Sequence, residues 1–220
     1  MSNGNFPTSR EVSKKVSLIT NEFTMKLDFE STIVLENNRV RMEPLEEAHF
    51  EHLVPIVLEK PDLLKYSPPK FGTSELLLTY IKKNIALRPR QLKYPFVIFD
   101  KAKQVYAGST SYMNISLENQ RLEIGSTWIG KAFQRTGLNR NCKFLLMQYA
   151  FDILEIERIE FKTDKRNLQS QKAIEGIGGQ YEGLLRSHTL MSDGYRRDTV
   201  YYSVLKEEWQ GIRESVFAGM

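Results

Sequence analysis

The chain has 220 residues, 41% of them hydrophobic and 26% charged, which is enough to bury a core and rules out a wholly disordered chain. Its formal net charge is only +4, with 31 basic residues scattered among 27 acidic ones, so no nucleic-acid partner is expected, and no motif or basic stripe asks for one. The single cysteine excludes a disulfide framework and a thiolate zinc site, and no apolar run approaches the roughly 18 residues of a membrane span, so a cytoplasmic protein without a membrane partner is expected.

Residues 1–30 are rich in Ser, Thr and Asn with scattered charge and no sustained period, the mark of a loosely ordered N-terminal extension to which no chemistry is assigned. One domain over residues 31–210 follows, with a short C-terminal tail at 211–220. Residues 33–35 and 39–42 form two short strand arms about the Asn37-Asn38 turn. Residues 46–59 carry Phe50, Leu53, Val54 and Val57 at helical spacing, with Pro55 expected to kink or split the helix. A second helix over 74–87 is predicted with Ser74 as its N-cap and a stop before Arg88-Pro89, and the intervening Tyr66-Ser67-Pro68-Pro69 reads as a rigid loop.

The period then changes, because residues 96–99, 104–113 and 121–129 are short β-type runs separated by polar turns, an antiparallel meander. In the last run, alternation puts Leu122, Ile124 and Trp128 on one face and Glu123, Gly125, Thr127 and Ile129 on the other. Leu138, Cys142, Leu145, Tyr149 and Ile153 recur at helical spacing, so a long helix runs from near Gly137 to Leu154. A strand at 158–163 completes a strand, loop, helix and strand unit, a crossover that makes its two strands parallel. Asn167 opens a short helix through Ile177 closed by Gly178-Gly179, and strands at 181–190 and 196–205 meet at Asp193-Gly194, a strong hairpin signal.

The stretch from Trp128 to Arg140 organises the chain: a strand stops, a basic loop follows and the long helix begins. The first N–H groups of a helix have no partner within it, and the aligned peptide dipoles place partial positive charge there, so a phosphate or pyrophosphate is a natural occupant. The composition agrees, since residues 124–151 contain no Asp or Glu while Lys131, Arg135, Arg140 and Lys143 fall inside that window. On these residues alone, a solvated basic turn capping an ordinary amphipathic helix is the better reading.

The order of two helices, a three-strand meander, a helix opened by a Gln-x-x-Gly loop, a strand, an Asn-x-x-Ser helix and a hairpin resembles the GNAT acetyltransferases from about Ile33 to Trp209. Within that superfamily the chain looks most like the ribosomal-protein-alanine N-acetyltransferase branch, RimJ/RimL-like, through Gly125 to Ile129, Gln134 to Asn139, Lys162-Thr-Asp-Lys-Arg-Asn167-Leu-Gln-Ser170 and the tail Arg196 to Ser203. The family loop is written Gln/Arg-x-x-Gly-x-Gly/Ala. Gln134 and Gly137 match it, and Asn139 stands in the last position. The resemblance implies an α/β (α+β) fold: a mixed, mostly antiparallel sheet of about seven strands, splayed between the fourth and fifth, with helices on both faces. It also implies acetyl-CoA as co-substrate, an amine acceptor (a peptide N-terminus or a small molecule), and a monomer or homodimer.

The implied site follows residue by residue. The pyrophosphate takes the loop of Gln134, Arg135, Thr136, Gly137, Leu138, Asn139 and Arg140, and the pantetheine pairs with strand residues 126–129 through the main-chain N–H groups of Trp128 and Ile129. At about 3.3 Å per residue Glu123 lies roughly 20 Å from Ile129, close to the length of an extended pantetheine arm, so the thioester ends near Glu123. Acetyl transfer needs the amine deprotonated and the leaving thiolate protonated. Glu123 is the candidate base, or an exposed strand glutamate in an ion pair. Asn167 and Ser170 resemble the family's cofactor-contacting pair, or are helix caps. Ile174 stands where many members carry a tyrosine acid, which leaves Ser170 as the group the resemblance offers for the sulfur. His49, His52 and His188 have no metal-like spacing, so no metal is expected. A catalytically silent CoA-binding regulator stays open as an alternative, whereas a P-loop phosphotransferase lacks its Gly-x-x-x-x-Gly-Lys-Ser/Thr element.

Overall fold

The computed structural model describes residues 27–220. Eight strands form one sheet in the order β1 (Leu35–Glu36), β2 (Val40–Pro44), β3 (Lys93–Asp100), β4 (Val105–Ser116), β5 (Arg121–Ile129), β6 (Arg158–Asp164), β8 (Arg196–Leu205), β7 (Gln180–Leu190). Every neighbouring pair is antiparallel except β5 and β6. The count exceeds the expected seven because the two-residue β1 pairs with β2, so the splay falls between the fifth and sixth strands in chain order. There the parallel pairing holds only from Arg121 to Glu123 against Arg158 to Glu160, and the rest of β5 has no partner on that side.

Helices α1 (Phe50–Glu59) and α2 (Ser74–Ile85) cover one face, while α3 (Leu138–Gln148), α4 (Leu168–Glu175) and α5 (Lys206–Ser215) cover the other. Pro55 does not split α1, because it sits on the exposed side of the helix, where water can satisfy the carbonyl that lacks its N–H partner. The cap of α2 is Thr73 rather than Ser74: the Thr73 hydroxyl accepts from the Leu76 N–H at 3.2 Å. The long helix predicted to Leu154 ends as an α-helix at Gln148 and continues as one wider turn over Tyr149–Ile153. The hairpin at Asp193-Gly194 is formed as expected, with Gly194 at φ +85. Of the expected extension, residues 1–26 lie outside the described residues, and Leu27 and Phe29 are buried in the core. At the other end Phe217 is buried against Phe144 and Trp209.

One local feature of β5 overturns the simple alternation. Ser126 adopts φ +49, and the register against β4 slips so that Ser111 faces Gly125 while Ser109 faces Trp128. Residues directly opposite share a face, so the extra residue moves Trp128 onto the face of Glu123 and Gly125. Its indole packs edge-on against Phe71 and Tyr80, beneath α2. Thr127 correspondingly turns to the α3 face, where its hydroxyl meets Thr110 at 2.8 Å and the Lys143 ammonium at 2.8 Å. The bulge is backed by Gly108, where a Cβ would come 2.0 Å from the Trp128 carbonyl oxygen, so only glycine lets β4 approach.

Candidate active site

The gap opened between β5 and β6 is a cleft of about 680 Å3. One wall is β5 from Ile124 to Ile129, the opposite wall is Phe161 to Thr163 of β6 with α4, and one end is the start of α3. Gly137, at φ +82, turns the chain into α3 with no side-chain cap and no acidic residue in the first turn. Among the described residues, no acceptor takes the main-chain N–H groups of residues 135–140, six donors in succession around a left-handed glycine. A Cβ on Gly137 would meet nothing within 4 Å, so the concavity in front of them is open. Successive N–H groups at a helix start form an anion seat with a geometry suited to a diphosphate.

Of the residues named from the sequence, Trp128, Ile129, Gln134, Arg135, Gly137, Asn139, Arg140, Asn167 and Ser170 all line this cleft. Thr136 and Leu138 do not: the Thr136 hydroxyl donates to the Phe133 carbonyl at 2.7 Å, and Leu138 is fully buried, so these two can offer only their main chain. Gln134 is a strut, because its amide donates to the Ile129 carbonyl at 3.0 Å and accepts from Gln169 at 3.3 Å, tying the end of β5 to α4. The Ile129 carbonyl therefore points away from β4, and its N–H points the same way, into the cleft. Trp128 differs from expectation: its carbonyl abuts Gly108 on β4, so its N–H faces the sheet and only its side chain lines the cleft. Arg140 donates to the Val216 carbonyl and lies over the Phe217 ring, whereas Arg135 has no hydrogen-bond or ion-pair partner among the described residues. The Asn139 Oδ1 is buried without a partner among the described residues.

A matched family profile decides what such a cleft belongs to: "Acetyltransferase (GNAT) domain" covers residues 39–180. The chain belongs to the GNAT acetyltransferase family. A Bacillus subtilis (strain 168) protein provisionally named ribosomal N-acetyltransferase YdaF is 38% identical over 104 residues, which is 47% of this chain and 56% of that protein. The chain thus spans a little over half of that relative. A GCN5-related N-acetyltransferase from Brucella melitensis superposes with a TM-score of 0.78 at 28% identity, covering 87% of this chain and 86% of that one. The Salmonella typhimurium acetyl transferase that modifies the N-terminal serine of 50S ribosomal subunit protein L7/L12 shares the fold, with a TM-score of 0.69 at 22% identity over 79% of this chain and 99% of that one.

At the far end of the GNAT cleft, Glu123 is 5% exposed and does not itself line the wall. Its Oε2 accepts from Lys162 at 3.0 Å and from Asn114 at 2.7 Å. Its Oε1 makes no hydrogen bond with a described residue and lies under Gly125, where a Cβ would sit 2.8 Å away. Gly125 lines the cleft, so the missing side chain is the opening through which that oxygen is reached. Glu160, beside Glu123 in the parallel pair, also binds Lys162, at 3.1 Å, and takes Arg158 and Arg121 as well. Burial works against the Lys162 charge, but the two carboxylates prevail and hold its pKa above that of an ordinary lysine. On α4, Asn167 is the cap, since its Oδ1 accepts from the Ser170 N–H at 3.1 Å, and the Ser170 hydroxyl is left with no partner among the described residues.

Two cleft residues were not singled out from the sequence. Lys143 is 6% exposed and, among the described residues, has no carboxylate partner and is held by Thr127 alone, above the Phe161 ring at 5.9 Å; burial pushes its pKa down to about 8. The acid-free window contained it, but only the helical offset of four from Asn139 marks it as facing the cleft. Arg197 reaches the cleft from β8, a strand that carries part of the family resemblance but to which no site role was given. Among the described residues no group of His, Cys, Asp and Glu could hold a metal, and no helix is long and apolar enough to cross a membrane.

Proposed function

We propose that this chain transfers an acetyl group from acetyl-CoA to a primary amine, and that the acceptor is the α-amine of a protein or peptide N-terminus. The observation that carries the cofactor assignment is the run of six unpartnered N–H groups at residues 135–140, beside an unpaired Arg135, at the mouth of a cleft with a free strand edge. These groups would hold the pyrophosphate, and the Ile129 N–H and the unpartnered Asn139 Oδ1 would meet the amide-bearing arm. Acetyl-CoA supplies the activated thioester; this chain's residues position it and manage protons.

Glu123 takes the proton of the acceptor ammonium through the Gly125 opening, with Lys162 and Asn114 fixing its other oxygen. The Ser170 hydroxyl, free of structural duty, gives a hydrogen bond to the departing sulfur. The names of the relatives support an N-terminal acceptor, and so does proton bookkeeping. An α-amine has a pKa near 7.7–8.0 against 10.4 for lysine, so presenting a neutral lysine at pH 7 costs roughly 3–4 kcal/mol more. Thiol release from acetyl-CoA, measured over peptides with free or blocked N-termini and with or without lysine, tests this. Acetylation confined to lysine side chains, seen by mass spectrometry, would overturn the acceptor assignment.

A further inference from the structure

We propose that the acceptor carries a carboxylate about two residues from its reacting amine, and that Arg197 binds it. The inference rests on the acetylation reading above and concerns the face of the sheet that bears Glu123, Gly125 and Trp128. There the cleft is closed by residues 60–67, the segment after α1, and by Lys162 and Arg197. The charges on this wall are almost all spoken for. Asp62, its one acid, lies 2.6 Å from Lys60 and 4.0 Å from Lys65. Lys162 is held between Glu123 and Glu160.

Arg197 is the exception. It is half-buried, its Nε donates to the Thr199 hydroxyl at 3.0 Å and its Nη1 to the Tyr66 carbonyl at 3.0 Å, and it forms no ion pair with any described residue. Asp164, which faces Thr199 on the neighbouring strand, is taken by the Nε and Nη2 of Arg166 at 3.0 and 2.7 Å. Burial destabilises the Arg197 cation, which the neighbouring carboxylates do not repair. Its Nη2 has no acceptor among the described residues, so one side of a guanidinium fork is open toward the cleft.

Register gives the spacing. Glu123 faces Glu160, which faces Ser203, but the Glu123 carboxylate leans along β5 beneath Gly125 and onto Lys162, and Lys162 faces Tyr201; Arg197 lies four residues before Tyr201 on β8, about 13 Å away at 3.3 Å per residue. An arginine side chain reaches back about half of that, which leaves roughly two extended residues between an amine at Glu123 and an anion at Arg197. An Asp or Glu at the second or third position of a peptide meets that requirement.

The test compares kcat and KM, by thiol release, for matched peptides with Glu, Gln or Lys at positions two and three, and for free dipeptides ending in the same residues. The wild-type chain should favour Glu over Lys about tenfold or more, mainly through KM. Arg197→Gln should erase the ratio and Arg197→Glu should invert it, while Arg197→Lys keeps part of it. A merely structural clamp on Tyr66 would lower all peptides alike, so an unchanged Glu/Lys ratio in Arg197→Gln overturns the proposal, as does a wild-type chain without preference. Preference for the free dipeptides over longer peptides would place the carboxylate at the acceptor's own terminus and overturn the side-chain form. No turnover of any amine, with CoA still bound in calorimetry, would instead overturn the acetylation reading beneath it.

Discussion

Replacing Lys143 by methionine should make the protein more stable and its cofactor binding worse. The side chain is 6% exposed, its only hydrogen-bond partner is Thr127, and burial drops its pKa from the ordinary 10.5 to about 8. A gap of that size means the charged form costs about 3 kcal/mol in the folded state. Because the folded pKa lies below the unfolded one, that penalty is fully present below pH 8, fades as pH rises, and is gone above about 10.5. Methionine fills a similar volume without the charge, and losing one hydrogen bond returns about 1 kcal/mol. Lys143→Met should therefore be roughly 2 kcal/mol more stable near pH 7, and equal or slightly less stable near pH 10.5. Urea unfolding of both chains across this range, taken as a difference so that other titrating groups cancel, reads the effect. A difference that stays flat with pH, or a variant less stable at pH 7, would refute the argument. Calorimetry with CoA should show weaker binding by the variant, since stability relinquished at a cleft wall is expected to serve the ligand.

The two loop arginines should separate. Arg135→Glu weakens CoA binding by on the order of 1–3 kcal/mol with an unchanged melting temperature, whereas Arg140→Glu also lowers the melting temperature, because Arg140 secures the Val216 carbonyl and the Phe217 ring. On α4 the division is sharper: Ser170→Ala should lower kcat without touching stability, and Asn167→Ala should cost about 1 kcal/mol of stability as a lost cap. Wild-type turnover in Ser170→Ala removes that hydroxyl from the mechanism.

What the sequence made legible is what local periodicity and turn chemistry control. The crossover from β5 through α3 to β6, the Asp193-Gly194 hairpin and the glycine-turned loop at the start of α3 are all set by short-range signals, and each is present. Ser126 shows where that reach ends. Nothing in Gly125-Ser126-Thr127 forces a positive φ; the bulge exists because β4 and β5 pair with unequal numbers of residues between Ser109 and Ser111, a long-range fact. With it went the side of Trp128. Arg197 was invisible for the same kind of reason, since its role comes from the Tyr66 carbonyl, 131 positions away in the chain. Glu123 was legible as a candidate, but the division of its two oxygens between Lys162 and the Gly125 opening was not.

That division makes Lys162 the residue that separates a base from an ordinary ion pair. Lys162→Met leaves Glu160 with Arg158 and Arg121 but leaves Glu123 with no ion pair and only the Asn114 hydrogen bond among the described residues, so the loss falls on Glu123. A buried carboxylate stripped of its ion-pair partner typically costs about 3–5 kcal/mol, which urea unfolding of Lys162→Met should show. The double variant with Glu123→Gln should recover most of the stability at pH 7, which ties the deficit to this one carboxylate. If Glu123 accepts the acceptor's proton, the change must appear in catalysis as well: kcat/KM falls sharply in Glu123→Gln and stays low in the double variant although its stability is regained. An ion pair with no proton to carry would move stability alone. A Glu123→Gln variant that keeps the wild-type rate would remove Glu123 from the reaction and leave it as the anchor of β5 to β6.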